Sequence, residues 1–88
     1  MDERTLTQAL RAYIVDEILE GDGAGFDAQT PLLEWGLLNS MELARLLAFV
    51  RARFGVTPPA DEITPANFRN LECVVRMVNR HAAPQEMA

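Results

Sequence analysis

The chain has 88 residues, 49% of them hydrophobic, and a formal net charge of −5 at pH 7. This length and composition predict one folded domain with a modest core and a free energy of unfolding of a few kcal/mol. The acidic balance and the absence of lysine argue against a nucleic-acid partner, because phosphate backbones are bound by clustered Lys and Arg.

The first predicted element is a helix over residues 2–20. Its apolar residues recur at helical spacing, namely Leu6, Leu10, Tyr13, Ile14 and Ile18. The stretch GDGAG, residues 21–25, ends this helix because glycine and aspartate favour turns. The stretch FDAQTPLLEWG, residues 26–36, then predicts a long ordered loop. We expect its large apolar side chains to be buried: Phe26, Leu32, Leu33 and Trp35.

Two further helices follow the loop. The second helix runs from Ser40 to Phe54, and it ends where Gly55 can cap it. In TPANF, Thr64 and Pro65 are typical of the cap and first position of one short helix. Asn70 caps the last helix, whose core face consists of Leu71, Val74, Val75 and Val78. The fold class is therefore all-α, a bundle of three main helices and a short fourth, with one domain over residues 1–81 and a flexible tail over 82–88.

Catalytic chemistry is hard to find in this sequence. The single histidine, His81, lies close to the C-terminal tail, where a surface role is the common case. The single cysteine, Cys73, has no metal-ligand spacing, points away from the predicted core face, and cannot form an internal disulfide. We expect no enzyme and no metal site. With no leader-like start and no membrane-length apolar stretch, we also expect a cytoplasmic monomer without a membrane partner.

The Asn39-Ser40 pair stands at the start of the second helix. Asn and Ser are preferred caps, so capping alone explains most such pairs. Three features favour an attached group on Ser40 instead: Gly36 permits a tight turn before the pair, an apolar loop leads into it, and the helix carries more apolar surface than one core face uses. The sequence therefore leaves two roles for Ser40, a cap and an attachment point.

The second helix predicts a docking surface beside Ser40. At 100° per residue its core face comprises Leu43, Leu46, Leu47, Val50 and Phe54. The residues expected to meet partner proteins are Asn39, Met41, Arg45, Ala48 and Phe49. An exposed stripe with methionine and phenylalanine is typical of a contact surface. The alternative for Phe49 is burial beneath the first loop.

Most of the chain resembles the acyl and peptidyl carrier proteins. The resemblance rests on TPLLEWGLLNSMELARLLAFVRARFGV, residues 30–56, and ITPANFRNLECVVRMV, residues 63–78. Carrier proteins have a serine in a Gly-x-Asp-Ser-Leu/Met setting at the start of the second helix, where this chain has GLLNSM, residues 36–41. The phrase QTPLLEWGLLNSM is most similar to free-standing prolyl and pyrrolyl peptidyl carrier proteins of pyoluteorin-, prodiginine- and aminocoumarin-type pathways.

The resemblance implies a function and a set of partners. It implies that Ser40 bears 4′-phosphopantetheine through a phosphodiester, with L-proline carried as a thioester and oxidised to pyrrolyl during antibiotic biosynthesis of the nonribosomal peptide type. The implied partners are a phosphopantetheinyl transferase, an ATP-dependent amino-acid adenylating enzyme, a flavin-dependent prolyl dehydrogenase, and a downstream acyl transferase or condensing enzyme. The protein itself is a non-catalytic carrier on this interpretation.

Two departures from the family pattern bear on the partners. Asn39 replaces the usual aspartate, and one extra residue lies between Gly36 and the Asn39-Ser40 pair. The loss of the aspartate charge affects which phosphopantetheinyl transferase recognises the protein. Arginines outnumber acids on the second helix, which argues against fatty-acid synthase partners that read an acidic helix. The remaining alternatives are another cargo, such as D-alanine or an aryl or short acyl group, and an unmodified helical interaction module in which Ser40 is only a cap.

Overall fold

The computed structural model describes residues 2–82, and within this range the chain is helical with no strand, which confirms the all-α prediction. Three α-helices are present: α1 (Glu3–Tyr13), α2 (Ser40–Phe54) and α3 (Leu71–His81). A π-helical turn (Ile14–Ile18) follows α1 directly, and a 3₁₀ turn (Ala60–Glu62) lies between α2 and α3. The predicted flexible tail lies outside the described residues except for Ala82, whose N–H bonds the Asn79 carbonyl.

The first helix continues beyond α1 with a change of pitch. Asp2 caps its start by accepting a hydrogen bond from the Arg4 N–H at 3.3 Å. At its end the Leu19 N–H bonds the Ile14 carbonyl at 3.0 Å, a five-residue step that widens the last turn. Leu6, Leu10 and Ile14 are fully buried. The predicted extent of this helix is confirmed, and its π-helical end is a feature that apolar spacing does not reveal.

Local capping chemistry sets the ends of α2 and α3 as predicted. Asn39 accepts from the Glu42 N–H at 2.8 Å, and Asn70 accepts from the Cys73 N–H at 2.9 Å. Gly55 closes α2 with φ +70°, a conformation that favours glycine, and its N–H bonds the Arg51 carbonyl at 2.9 Å. The amide caps and the glycine therefore account for these helix boundaries.

The predicted short element at TPANF is confirmed as a turn capped by Thr64, but it is not a helix, so the described residues form three α-helices and not a four-helix bundle. Residues 64–68 form a hydrogen-bonded turn in which Thr64 Oγ1 accepts from the Asn67 N–H at 3.3 Å. The Asn67 side chain donates to the Glu62 carbonyl at 2.6 Å, which ties the turn back to the preceding segment. The helical piece of this region is instead the three-residue 3₁₀ turn.

The long loop between α1 and α2 is ordered, but only part of its apolar set is buried. Phe26 and Leu32 are buried as predicted. The prediction is wrong for Leu33, which is 37% exposed, and for Trp35, which is 62% exposed. Residues 31–36 coil into a helical turn, with the Trp35 N–H on the Pro31 carbonyl at 3.1 Å. Such a turn directs consecutive residues to different sides, so Leu32 enters the core and its neighbour does not.

Hydrogen bonds fasten this loop to the start of α3. The Leu32 N–H bonds the Arg69 carbonyl at 2.8 Å, and the Glu72 N–H bonds the Ala28 carbonyl at 3.2 Å. The Gln29 side chain also donates to the Glu72 carboxylate at 2.8 Å. The loop is therefore a fixed part of the fold, and it holds the start of α2 in place.

One hydrophobic core joins all three helices and the loop. Its fully buried larger side chains are Leu6, Leu10, Ile14, Leu32, Leu46, Val50, Phe68, Leu71, Val74, Met77 and Val78. The predicted core face of α3 is confirmed, while on α2 only Leu46 and Val50 are fully buried. Leu43, Leu47 and Phe54 are half-buried, so α2 presents a wider surface than its core contacts require. No helix within residues 2–82 combines the length and apolar character needed to cross a bilayer.

Candidate functional site

Ser40 is the first residue of α2 and its side chain is exposed. The capping bond at this helix start comes from Asn39, whose side-chain oxygen accepts from the Glu42 N–H. The Ser40 hydroxyl takes part in no hydrogen bond among residues 2–82. Of the two roles that the sequence left open, capping belongs to Asn39, and the serine hydroxyl is free to carry a group. Ser40 is also the only serine in the chain.

The approach to Ser40 is held by a tight turn. Gly36 has φ +73°, in the left-handed region where a side chain would be strained. The Leu37 and Leu38 N–H groups then both reach the Leu32 carbonyl, at 2.9 and 3.3 Å. Leu38 is buried, which anchors the chain immediately before the Asn39-Ser40 pair. The glycine, the loop and the buried leucine together hold the hydroxyl at the surface.

The start of α2 is suited to an anionic group such as a phosphodiester. The Asn39 side chain accepts a hydrogen bond from the Glu42 N–H, and the Asn39 backbone carbonyl accepts one from the Leu43 N–H at 2.8 Å. The N–H groups of Ser40 and Met41 form no hydrogen bond among the described residues. Unpaired N–H groups and the positive end of the helix dipole favour negative charge at this position. An exposed hydroxyl beside them fits a phosphate ester.

Arg45, a predicted docking residue, is engaged within the protein. Its guanidinium donates to both carboxylate oxygens of Glu42, at 3.2 and 3.3 Å, and to Glu17 on the π-helical turn at 3.2 Å. Its side chain is nevertheless 46% exposed. Arg45 therefore links the first helix to α2 and neutralises Glu42, the one acid in the first turn of α2.

Phe49, the other central docking residue, is half-buried. Its ring stacks on Tyr13 with centroids 4.5 Å apart and meets Phe54 edge-on at 6.0 Å. The alternative of burial is thus the better description, although the cover is the first helix and not the loop. Burial in this contact raises the pKa of Tyr13 above its ordinary value.

The other predicted docking residues are exposed. Asn39 and Ala48 lie at the surface, and Met41 is 71% exposed. The structure adds exposed apolar residues that the sequence analysis did not select, namely Leu33, Trp35 and Ile63. The sequence contains one signal for this exposure: the proline that begins PLLEW, residues 31–35, is typical of a helix start. A helical turn in this position would direct some of the apolar side chains towards solvent.

Residues considered for catalysis do not form a reactive cluster. Cys73 is half-exposed as predicted. His81 contacts the Glu62 carboxylate at 3.3 Å, and Arg80 donates to the same group at 2.7 Å. Hydrogen bonds from Arg80 and then His81 hold the pKa of Glu62 below its ordinary value. Residues 2–82 contain no group of three His, Cys, Asp or Glu side chains arranged to hold a metal ion.

Comparison with known proteins identifies the family. Residues 8–78 match the family described as "Phosphopantetheine attachment site". The chain is 35% identical over 81 residues to "Probable acyl carrier protein PigG" of Serratia sp. (strain ATCC 39006), covering 92% of this chain and 93% of that protein. It is 38% identical over 77 residues to "Aminoacyl carrier protein 1" of Bradyrhizobium diazoefficiens, covering 85% of this chain and 84% of the relative.

A solved structure has the same fold. A chain in "Crystal structure of FAD-dependent dehydrogenase" superposes with a TM-score of 0.75 at 36% identity, covering 78% of this chain and 97% of that chain. The family match spans most of the sequence, and both relatives are aligned over nearly their full length. The chain therefore belongs to the phosphopantetheine-binding acyl and aminoacyl carrier proteins, non-catalytic proteins with covalently attached 4′-phosphopantetheine.

Proposed function

We propose that Ser40 bears the phosphopantetheine and that the protein carries an L-prolyl thioester, which a flavin-dependent dehydrogenase oxidises to pyrrolyl in antibiotic biosynthesis. The domain that does so comprises residues 1–81. The attachment proposal rests on the hydroxyl of the only serine, which is exposed at the start of α2 and forms no hydrogen bond with any residue from 2 to 82. When bound, the cofactor supplies an arm whose thiol holds the acyl group as a thioester.

The similar solved structure supports the dehydrogenase as a partner. That structure is of an FAD-dependent dehydrogenase, yet the alignment spans 78% of this chain and 97% of the matched chain, so the matched chain is shorter than the 88 residues of this protein. A small helical chain of this size cannot enclose FAD together with a substrate. We infer that a carrier-like chain and a dehydrogenase share that crystal, as a carrier and its enzyme would.

The residues of this chain have three tasks in the proposed function. Asn39 and Gly36 fix the backbone that presents the Ser40 hydroxyl, through the cap and the left-handed turn. The start of α2 stabilises the phosphate by about 0.3–1 kcal/mol through its dipole. The surface around Ser40 then has to fit each enzyme, because every enzyme that reaches the thiol approaches the point where the arm begins. The acid and base of each reaction come from those enzymes.

Attachment is tested by intact mass after incubation with coenzyme A and a promiscuous phosphopantetheinyl transferase. The wild-type protein should gain one phosphopantetheine, and Ser40→Ala should gain none. Thr57→Ala, at another exposed hydroxyl, is the matched control and should be modified like the wild type. The circular dichroism spectrum of Ser40→Ala should be unchanged, because Asn39 supplies the cap. Modification of Ser40→Ala would disprove the assignment.

Cargo is tested on the phosphopantetheine-bearing protein. A prolyl-adenylating enzyme with ATP and L-proline should add one prolyl group by mass. An FAD-dependent dehydrogenase should then remove four hydrogens in two two-electron steps to give pyrrolyl, with an added electron acceptor reoxidising the reduced flavin after each step. D-Alanine and aryl acids with their own adenylating enzymes serve as competitors. The "Aminoacyl carrier protein 1" similarity supports an amino acid as the class of cargo. Loading of another amino acid in place of proline would retain the carrier function and overturn the prolyl proposal.

A further inference from the structure

The side of α2 that faces away from α1 borders an apolar groove. Three neighbouring cavities lie between α2, the turn at residues 31–36, and the chain from 57 to 69. They share lining residues, since Ile63 lines two of them, while Leu33 and Pro65 line the next pair. The groove is formed mainly by Leu33, Leu43, Leu47, Ile63, Pro65 and Phe68.

The groove begins beside the proposed attachment point. Leu43 and Leu47 follow Ser40 by three and seven residues, so all three lie on one side of the helix. Leu33 and Ile63, on the opposite wall, are 37% and 36% exposed. Large apolar side chains clustered around an open groove are typical of a surface that another protein covers. An enzyme bound in this groove would have the start of the arm at its edge.

Each end of the groove carries an arginine. Arg51 lines the end near Pro58, and Arg69 lines the end near Pro31. Both are exposed and, like Arg4, Arg11 and Arg53, neither forms an ion pair among residues 2–82. Glu34 also lines the Arg69 end but makes no ion pair with it. In a chain of net charge −5, two free guanidinium groups at the groove ends favour an acidic partner surface.

We propose that this groove is the docking surface for the flavin-dependent dehydrogenase, which binds through an apolar ridge with carboxylates at both ends. The identity of the enzyme rests on the proposed function, and the surface rests on the geometry and charge of the groove. The flank that carries Arg45 and Phe49 also has a cavity, of about 300 Å³, but Asp16 and Glu17 line it and would repel an acidic partner. On this flank α1 and its π-helical turn already engage both Arg45 and Phe49.

Two other occupants fit the groove less well. A second copy related by two-fold symmetry would bring Arg51 of one copy towards Arg69 of the other, and like charges in contact are unfavourable. The tethered prolyl group is small and carries a protonated amine, which arginines at both ends would repel. An enzyme with acidic flanks satisfies the apolar centre and both arginines.

The docking surface can be mapped without any cargo. The phosphopantetheine-bearing protein is labelled with ¹⁵N and titrated with the FAD-dependent dehydrogenase of the similar solved structure. Backbone amides of Leu33, Leu47 and Ile63 should shift or broaden, while those of Ala12 and Asp16 should not. Amide shifts centred on α1 would overturn the proposal. Shifts in the groove when the labelled protein is concentrated without the enzyme would indicate a second copy as the occupant and would also overturn it. So would shifts in the groove when the prolyl group is loaded without the enzyme, because they would indicate the tethered cargo.

Charge reversal tests the acidic character of the partner. Arg51→Glu and Arg69→Glu should each weaken binding about five- to tenfold at low salt, with a smaller effect at high salt because the charges are screened. Arg4→Glu makes the same change in net charge on α1, outside all three cavities, and should weaken binding less than twofold. The Tm of each variant should stay close to that of the wild type. Equal effects at all three positions would overturn the specific docking surface.

Flavin reduction separates the docking proposal from the proposed function. Prolyl-loaded wild-type protein that reduces the flavin, with binding centred away from the groove, would overturn the docking surface alone. Binding in the groove without oxidation of the prolyl group would overturn the cargo and leave the surface in place. Absence of both binding and oxidation would overturn both.

Discussion

The two flanks of α2 are built in opposite ways. On the α1 flank, the Phe49 ring stacks on Tyr13 at 4.5 Å, and Arg45 bonds Glu17 at 3.2 Å. On the groove flank, the half-buried side chain of Leu47 faces a cavity of about 230 Å³. One helix thus packs one side against α1 and borders a groove on the other, so substitutions on the two sides should separate stability from the proposed recognition.

The walls of the two flanks also differ in chemistry. The α1 flank is covered by a helix that packs through aromatic and apolar contacts. The far wall of the groove, residues 60–68, is held by polar contacts, with Arg80 on the Glu62 carboxylate at 2.7 Å and the Asn67 amide on the Glu62 carbonyl at 2.6 Å. Protonation of Glu62 in acid should therefore weaken the contacts that hold the groove wall.

The largest effect is expected from breaking the α1 flank. Phe49→Asp removes the stack on Tyr13 and places a carboxylate against an aromatic ring, so we expect a loss of about 3 kcal/mol or more in the free energy of unfolding. Urea unfolding followed by circular dichroism measures this loss. Ala48→Asp, at the neighbouring exposed position, should change the free energy by less than about 0.5 kcal/mol. Similar midpoints for both variants would show that the stack does not support the fold.

Met41→Asp sharpens the comparison by affecting recognition without stability. Met41 is 71% exposed and lies next to Ser40, so the Tm of the Met41→Asp protein should stay close to that of the wild type. Loading by the adenylating enzyme, or oxidation by the dehydrogenase, should slow about three- to tenfold, because small interfaces depend on a few apolar anchors. Ala52→Asp, further along α2, is the control for added charge. Unchanged rates with every partner enzyme would show that Met41, which lies outside the groove, has no part in recognition.

Asn39 lies at the start of α2, where both flanks meet. Asn39→Ala removes the acceptor of the Glu42 N–H and should cost about 1 kcal/mol. Asn39→Asp keeps the acceptor and adds a charge that the helix dipole favours, so stability should be retained or rise by a few tenths of a kcal/mol. Thermal unfolding compares the three proteins. If Asn39→Asp lowers stability as much as Asn39→Ala does, the side-chain cap is not the source of the effect.

The smallest effect concerns the groove wall and pH. The pKa of Glu62 is lower in the folded protein than its ordinary value, because Arg80 and then His81 donate to it. A carboxyl of this kind stabilises the fold above its ordinary pKa of about 4.3, and the contribution is lost as pH falls through the folded value. Glu62→Gln should therefore show a flatter decline in stability below about pH 5 than the wild type. Amide exchange of residues 60–68 locates the change, and identical acid limbs would contradict the assignment.

Local chemistry made the helix boundaries predictable. Asn39, Gly55 and Asn70 act through atoms within a few residues of themselves, so the sequence alone indicates where α2 and α3 begin and where α2 ends. The attachment candidate Ser40 was found in the same way, from a glycine turn and a cap. The structure then assigned the cap to Asn39 and left the serine hydroxyl free.

Features that depend on distant partners were not predictable. The cover over Phe49 comes from Tyr13, at the point where α1 passes into a π-helical turn, and apolar spacing contains no sign of that change in pitch. The exposure of Trp35 follows from a helical turn within a loop that the composition alone describes as buried. The groove needs residues from three separate segments, so no single stretch of sequence reveals it.

The bonds between the first loop and α3 link cofactor attachment to the order of folding. The Leu32 N–H reaches the Arg69 carbonyl at 2.8 Å, and the Leu32 carbonyl accepts from Leu37 and Leu38 just before Ser40. We therefore expect the surroundings of Ser40 to be complete only after the C-terminal third of the chain is present and docked. In a nascent chain that still lacks α3, the turn before Ser40 would not be formed, and the transferase would meet a disordered serine. Modification at the proposed site should therefore follow completed synthesis and folding. The fraction of protein that accepts the cofactor can thus serve as a sensitive measure of correct folding in variant libraries.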